Sequence, residues 1–213
     1  LVDPRTNEAV KIVNARDLWW QIIYARAETG EPYIVNLDIC NEHLPKEQKD
    51  LGLQIRQSNL CSEITLPTNE ERTAVCCLSS VNLEYFDEWS KEPKFIDDLV
   101  TMLDNVLQHF IENALDTTHL GEYNANYKRF KSHIKVGQEG FTKAAYSAYR
   151  ERSIGLGAMG FHAYLQHKNI DFESIYATGF NYKCFKYIKS EARKVSKRLA
   201  DERGEAPDVH GSG

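Results

Sequence analysis

The sequence is 213 residues long, carries a formal net charge of -5 at pH 7, and is 42% hydrophobic and 27% charged. That balance belongs to a globular domain with a sizeable core and excludes the disordered and fibrous classes. The basic residues are scattered, and the densest patch, Lys128 to Lys135, is diluted by Phe130, Ser132 and Ile134, which excludes the basic stripe that a DNA or RNA polymer needs.

No Pro/Gly/Ser-rich linker marks a seam, so residues 1–213 are read as a single domain without a separate second one. The first helix signal covers residues 15–28, with Leu18, Ile22 and Ala25 at helical spacing, Asn14 as N-cap and Gly30 as stop. Residues 32–37, β-branched and aromatic, read as a short buried strand. Residues 41–52 are polar and turn-like. Two extended candidates follow, 55–66 and 73–78, separated by a polar turn from Pro67 to Arg72. Phe95, Leu99, Met102, Val106 and Phe110 mark the core face of a helix over 95–113. Residues 116–142 carry little periodicity and read as a long, loosely ordered surface connection with short helical pieces. Residues 146–168 read as helix in two pieces. Residues 181–203 form an amphipathic helix with Phe185, Ile188, Ala192, Val195 and Leu199 on one face, closed by Gly204 and Pro207. Helix alternates with strand early on, and the C-terminal half is helix-rich: an α/β protein.

Five cysteines, Cys40, Cys61, Cys76, Cys77 and Cys184, form an odd set in a chain without a signal-peptide pattern. That favours a reducing, cytoplasmic compartment, or the host cytoplasm for a viral gene. No apolar stretch approaches the roughly 18 residues of a membrane helix. Both ends look cut: there is no initiating Met, and the last residues from Asp208 to Gly213 trail off in turn chemistry. An expressed fragment and a split gene product both fit.

The chemistry gathers in Asn59-Leu60-Cys61-Ser62-Glu63. Side chains alternate along an extended segment, so Asn59, Cys61 and Glu63 are expected on one face, with Leu60 and Ile64 packing inward on the other. An amide, a thiol and a carboxylate at that spacing combine a neutral hydrogen-bonding group, a one-electron-capable sulfur and a general base. By itself Asn-x-Cys-x-Glu recurs by chance, and a buried Cys is commonly a small hydrophobe. The surroundings carry the weight.

Arg56-Gln57-Ser58-Asn59-Leu60-Cys61-Ser62-Glu63-Ile64-Thr65-Leu66-Pro67, followed by Ala74-Val75-Cys76-Cys77-Leu78-Ser79-Ser80-Val81-Asn82-Leu83, resembles the class I ribonucleotide reductase large (α) subunit. Gly30-Glu31-Pro32-Tyr33, Arg152-Ser153-Ile154-Gly155-Leu156-Gly157-Ala158-Met159-Gly160-Phe161 and Glu202-Arg203-Gly204-Glu205-Ala206-Pro207 resemble the same subunit in the same order. The resemblance implies part of a ten-stranded α/β barrel with the Cys61 loop as a catalytic finger at its centre. It implies reduction of ribonucleoside diphosphates to deoxyribonucleotides by thiyl-radical chemistry. Cys61 would be the thiyl radical that takes the ribose 3′-hydrogen, Glu63 the base for the 3′-hydroxyl, and Asn59 a hydrogen-bonding partner; Ser58, Asn59, Leu60 and Glu63 would contact substrate. Cys76 would belong to the cysteine pair that ends as a disulfide; adjacent strand residues face opposite ways, so Cys76 and Cys77 cannot both look into the site. The implied partners are a metal-containing small (β) subunit that supplies the radical, a second α chain, and a thioredoxin- or glutaredoxin-type reductant. No cofactor would be bound by this chain, and the ATP and dNTP effectors would act on segments outside it.

The second redox cysteine of the family lies well upstream of the loop, and only Cys40 precedes Cys61 here, in a context that does not match it. The family's phosphate-binding loop, radical-transfer tyrosine pair and C-terminal cysteines are also missing, so the piece is expected to be inactive alone. Two rival readings stand: an inert split-gene or truncated fragment that acts only on assembly with missing segments, and a cysteine-nucleophile hydrolase, which needs a His beside Cys61. Gly155 to Gly160 satisfies the three-glycine dinucleotide pattern, but it follows the charged stretch 145–152, and Asp171 and Glu173 come too early for the ribose acid. These glycines are read as close helix packing. Cys40 with His43 lacks a second pair of zinc ligands, so no metal is assigned. Trp19, Trp20 and Trp89 are read as core aromatics.

Overall fold

The computed structural model describes residues 1–115 and 127–210. They form two compact units: Leu1–His43 with Ile55–Leu66, and Leu44–Gln54 with the chain from Pro67 onward.

The first unit carries α1 (Ala15–Thr29) and α2 (Leu37–Glu42). Asn14 caps α1 by accepting from the backbone N–H groups of Arg16 and Asp17, and Gly30 closes it at a left-handed φ of 79°, a conformation that glycine adopts without steric cost. The helix buries none of its residues. Trp19 and Trp20 are 55% and 64% exposed, so their expected core role is overturned: successive helical side chains point about 100° apart, and no layer of described residues in this unit covers either one. The strand expected over 32–37 is also not formed. Tyr33 and Ile34 stand exposed in irregular backbone, and Leu37 opens α2. A strand exists only where a neighbour takes up its amides and carbonyls, and no described residue pairs with this stretch.

In the second unit, α3 (Lys46–Asp50) lies in the stretch read as turns. β1 (Cys77–Asn82) and β2 (Ile154–Met159) then pair in parallel, in register from Cys77 opposite Ile154 to Asn82 opposite Met159. Between them run α4 (Phe86–Trp89), α5 (Phe95–Ala114), α6 (Tyr127–Lys131) and α7 (Thr142–Glu151); α8 (Phe161–His167) and α9 (Ile175–Arg203) follow. A parallel pair requires such a crossover, and the α/β class with a helix-rich C-terminal half holds. Among the described residues the sheet has these two strands, so the barrel is not closed within them. The strand expected at 73–78 begins instead at Cys77, where β2 first offers a partner. β2 itself falls inside 146–168, expected as helix. Its apolar residues Ile154, Leu156 and Ala158 recur at a period of two, the strand period, and pack against the core.

Helix α5 covers the expected range, but its buried face is displaced by one residue. Ile96, Val100, Leu103, Leu107, Ile111 and Ala114 are buried, whereas Met102 and Val106 are 47% and 52% exposed. The helix is apolar along two adjacent stripes, and its packing against β1, β2, α7 and α9 selects one of them. α9 starts earlier than expected, at Ile175, with Ser174 Oγ accepting from Ala177 N at 3.2 Å. Phe180 and Cys184 take the buried place anticipated for Phe185, beside Ile188, Val195 and Leu199.

The core is built as two clusters. One gathers Phe86, Trp89, Ile96, Val100, Phe180 and Ile188; the other gathers Leu107, Ile111, Leu115, Phe130, Tyr146 and Tyr149. Each such side chain contributes roughly 1.5–3 kcal/mol on full burial. Trp89 is core as expected, and its Nε1 donates to Asn82 O at 2.8 Å. Of the connection expected over 116–142, residues 116–126 lie outside the described residues, and the remainder is anchored by the buried Phe130 of α6. No helix among the described residues is long and apolar enough to cross a membrane.

Candidate active site

The segment leading into the loop is held from α2. Asn41 Nδ2 donates to Leu37 O at 2.9 Å and Ile55 O at 2.8 Å, while its Oδ1 accepts from Ile55 N at 2.8 Å. This residue had no signal in the sequence, because its partner lies 14 positions away.

Beyond Ile55 the chain turns instead of continuing extended. Ser62 N donates to Asn59 O at 3.1 Å, Asn59 N donates to Ile64 O at 3.2 Å, and Ser62 takes a left-handed φ of 65°. The expected alternation of Asn59, Cys61 and Glu63 on one strand face is therefore absent. The turn joins two of the three by another route: Asn59 Nδ2 donates to Glu63 Oε1 at 2.6 Å and Asn59 Oδ1 accepts from Ile64 N at 3.0 Å. Carboxylate accepts only and backbone N–H donates only, so these partners dictate the amide's orientation. Ser58 Oγ donates to Asn59 O at 3.0 Å and lies 3.4 Å from Ser62 Oγ. Cys61 sits exposed at the tip. Leu60 is 91% exposed and does not pack inward as expected; in a tight turn neighbouring side chains splay outward. Among the described residues no histidine hydrogen-bonds to Cys61, so none of them supplies the base that the hydrolase reading requires.

Cys76 belongs to the second unit and immediately precedes β1. Cys77 packs against the cluster of Leu107, Ile111 and Tyr146, and burial pushes its thiol pKa up, which disfavours the reactive thiolate. The Cys76 sulfur lies on the other face, next to Gly155, and contacts Cys77 O at 3.7 Å.

Two of the motifs meet on a third residue that carried no sequence signal. Arg152 donates to Asp104 Oδ1 at 2.6 Å and to Gln108 Oε1 at 2.7 Å, and Arg203 donates to Asp104 Oδ2. A cavity of about 430 Å³ beside them is lined by Gln108, Tyr149, Arg152, Arg203, Glu205 and His210. Residue 208 does not trail off. Asp208 is 2% exposed and takes both Arg72 and Arg150, the latter at 2.7 Å. Arg72 also reaches Glu151 at 3.3 Å, and Ser147 Oγ donates to Glu151 at 3.1 Å. Burial pushes the Glu151 carboxyl pKa up against the opposing pull of Arg72 and Ser147. Burial pulls Arg72 down, but hydrogen bonding and charge from Asp208 leave it raised. No group of three or more His, Cys, Asp or Glu among the described residues is arranged to hold a metal.

Comparison with known proteins gives one result. The family described as ribonucleotide reductase, barrel domain, matches residues 2–212. A ribonucleoside-diphosphate reductase large subunit of Invertebrate iridescent virus 3 is 48% identical over all of this chain and 30% of its own length. The large subunit of Arabidopsis thaliana is 32% identical over 98% of the chain and 25% of its own length. Among solved structures, the Actinobacillus ureae class Id ribonucleotide reductase alpha subunit superposes with a TM-score of 0.72 at 34% identity, covering 93% of this chain and 34% of that one. The chain thus spans less than a third of the length of these curated relatives.

Proposed function

Since the chain belongs to the ribonucleotide reductase barrel-domain family, we propose that residues 1–213 are part of the single catalytic barrel domain of a ribonucleoside-diphosphate reductase large subunit and supply its radical-bearing loop. The observation that carries this reading is the loop itself, in which an exposed thiol stands at the tip of a turn whose flanks are joined by the Asn59–Glu63 hydrogen bond. Cys61, as a thiyl radical, takes the hydrogen from C3′ of the ribose. Glu63 accepts the 3′-hydroxyl proton, a task that requires an ionised carboxylate within hydrogen-bond reach. Asn59 orients that carboxylate and, with Ser58 and Leu60, meets the substrate. The 2′-hydroxyl leaves as water, and Cys76 with a second thiol supplies two electrons and two protons, ending as a disulfide. That second thiol is not assigned to any residue of this chain.

The same reading implies a radical-generating, metal-containing small subunit, a second large subunit, a thioredoxin- or glutaredoxin-type reductant and a cytoplasmic setting. It also places the nucleotide effectors on segments other than these residues. The test is Cys61→Ser in the complete enzyme: deoxyribonucleotide formation is expected to vanish while nucleotide binding, followed by equilibrium dialysis, is retained. Product above background from that variant would refute the radical role.

A further inference from the structure

The glycines at 155 and 157 take no part in the chemistry described above, yet they shape the face of the sheet that carries Cys76. In register, Gly155 stands opposite Leu78 and Gly157 opposite Ser80. Alternation puts Cys76, Leu78 and Ser80 on this face, while Val81, Leu156 and Ala158 pack into the core on the other. The face therefore bears side chains along β1 and none at two positions along β2. Gly155 is not among the residues with positive φ, so its backbone would accept any side chain. What it could not accept is the volume. A Cβ there would collide with Leu78 Cδ2 and stand 3.4 Å from Cys76 Sγ. At Gly157 the nearest atom would be Ser80 Oγ at 3.0 Å, with Cys76 out of range. Glycine weakens a strand, and its presence in one can mark a close approach; at Gly155 the closely approaching group is Leu78, with the Cys76 sulfur at van der Waals distance beside it.

We propose that Gly155 is a positioning residue for Cys76: by carrying no side chain it leaves open the space beside the sulfur through which a reactant reaches it. The consequence for turnover rests on the redox role proposed for Cys76, whereas the contact can be tested without it. The probe is the alkylation rate of Cys76 by iodoacetamide in the 213-residue chain, resolved by peptide mass spectrometry with Cys61 as internal reference. Gly155→Ala alone also presses on Leu78 and can disturb folding. The deciding comparison is therefore Leu78→Ala against the Gly155→Ala/Leu78→Ala double variant, which differ only by the methyl group beside the sulfur. Cys76 is expected to react measurably more slowly in the double variant, because the methyl group fills space beside the sulfur that the reagent must enter, with the Cys61 rate and thermal midpoint unchanged. Gly157→Ala should leave the Cys76 rate at the wild-type value. Equal Cys76 rates in the two proteins would overturn the proposal, and so would a slowing shared by Cys61 or reproduced by Gly157→Ala. Turnover of Cys76→Ser in the complete enzyme is read separately: retained activity there would remove the redox role and leave the Gly155 contact standing.

Discussion

Asn59 spends both ends of one amide on the loop, donating to Glu63 and accepting from the Ile64 amide. Alanine at this position loses both bonds; aspartate keeps the acceptor for Ile64 but sets a like charge against Glu63. Hydrogen exchange at the Ile64 amide is therefore expected to accelerate about fivefold in Asn59→Ala, the net worth of one hydrogen bond near ~1 kcal/mol. In Asn59→Asp it should stay slow. The same exchange rate in all three proteins would show that this bond does not hold the loop. The types of the residues were legible in the sequence, since amide, thiol and carboxylate stand within five positions of one another. Their arrangement was not. Alternation put all three on one strand face, whereas a left-handed Ser62 folds the segment so that Asn59 and Glu63 meet and Cys61 is left at the tip.

The helices show a similar division between existence and orientation. Local spacing located α5, yet its apolar residues lie on two adjacent stripes, and the residue spacing within the helix cannot choose between them. Leu107 is fully buried, while Met102 is 47% exposed. Leu107→Ala is expected to lower unfolding stability by ~2–5 kcal/mol as a cavity opens in the core. Met102→Ala should stay within about 0.5 kcal/mol of the wild type, as surface changes do. Urea-denaturation midpoints measure both, and similar losses at the two sites would mean that the buried stripe is wrongly assigned. For β2 the period was legible after the fact, but glycines between apolar residues suit close packing of either a helix or a strand. The deciding partner, β1, lies on the far side of α4 to α7.

In the second unit as a whole, Arg72, Arg150, Glu151 and Asp208 tie the approach to β1, the end of α7 and the C-terminal turn into one buried ionic group. Its members are separated by as many as 136 positions, and removing one partner of such a group leaves a buried charge uncompensated. Burial holds the Glu151 pKa above its ordinary value of 4.5, so folding disfavours its charged form. The associated stability is complete below the unfolded value and is lost as pH rises through the folded one. Glu151→Gln cannot ionise. Its thermal midpoint is therefore expected to gain on that of the wild type as pH is raised from 4.5, a comparison in which other titrating groups cancel. A difference that is flat, or that moves the other way, would contradict the raised carboxyl.

Caps, periodic stripes and ordered motifs act within a few positions of the chain, which is why Asn14 and Gly30 bound α1 as read, α9 runs to Arg203, and the ordered motifs lead to a reductase barrel. Pairing and burial depend on residues brought from far along the chain. For that reason the strand at 154–159, the buried stripe of α5, the exposure of Trp19 and Trp20 and the anchoring of Asp208 emerge only in three dimensions. For the strand, the stripe and Asp208 the partner that lowers the free energy is a distant one, whereas Trp19 and Trp20 stand exposed where no described residue of their unit covers them.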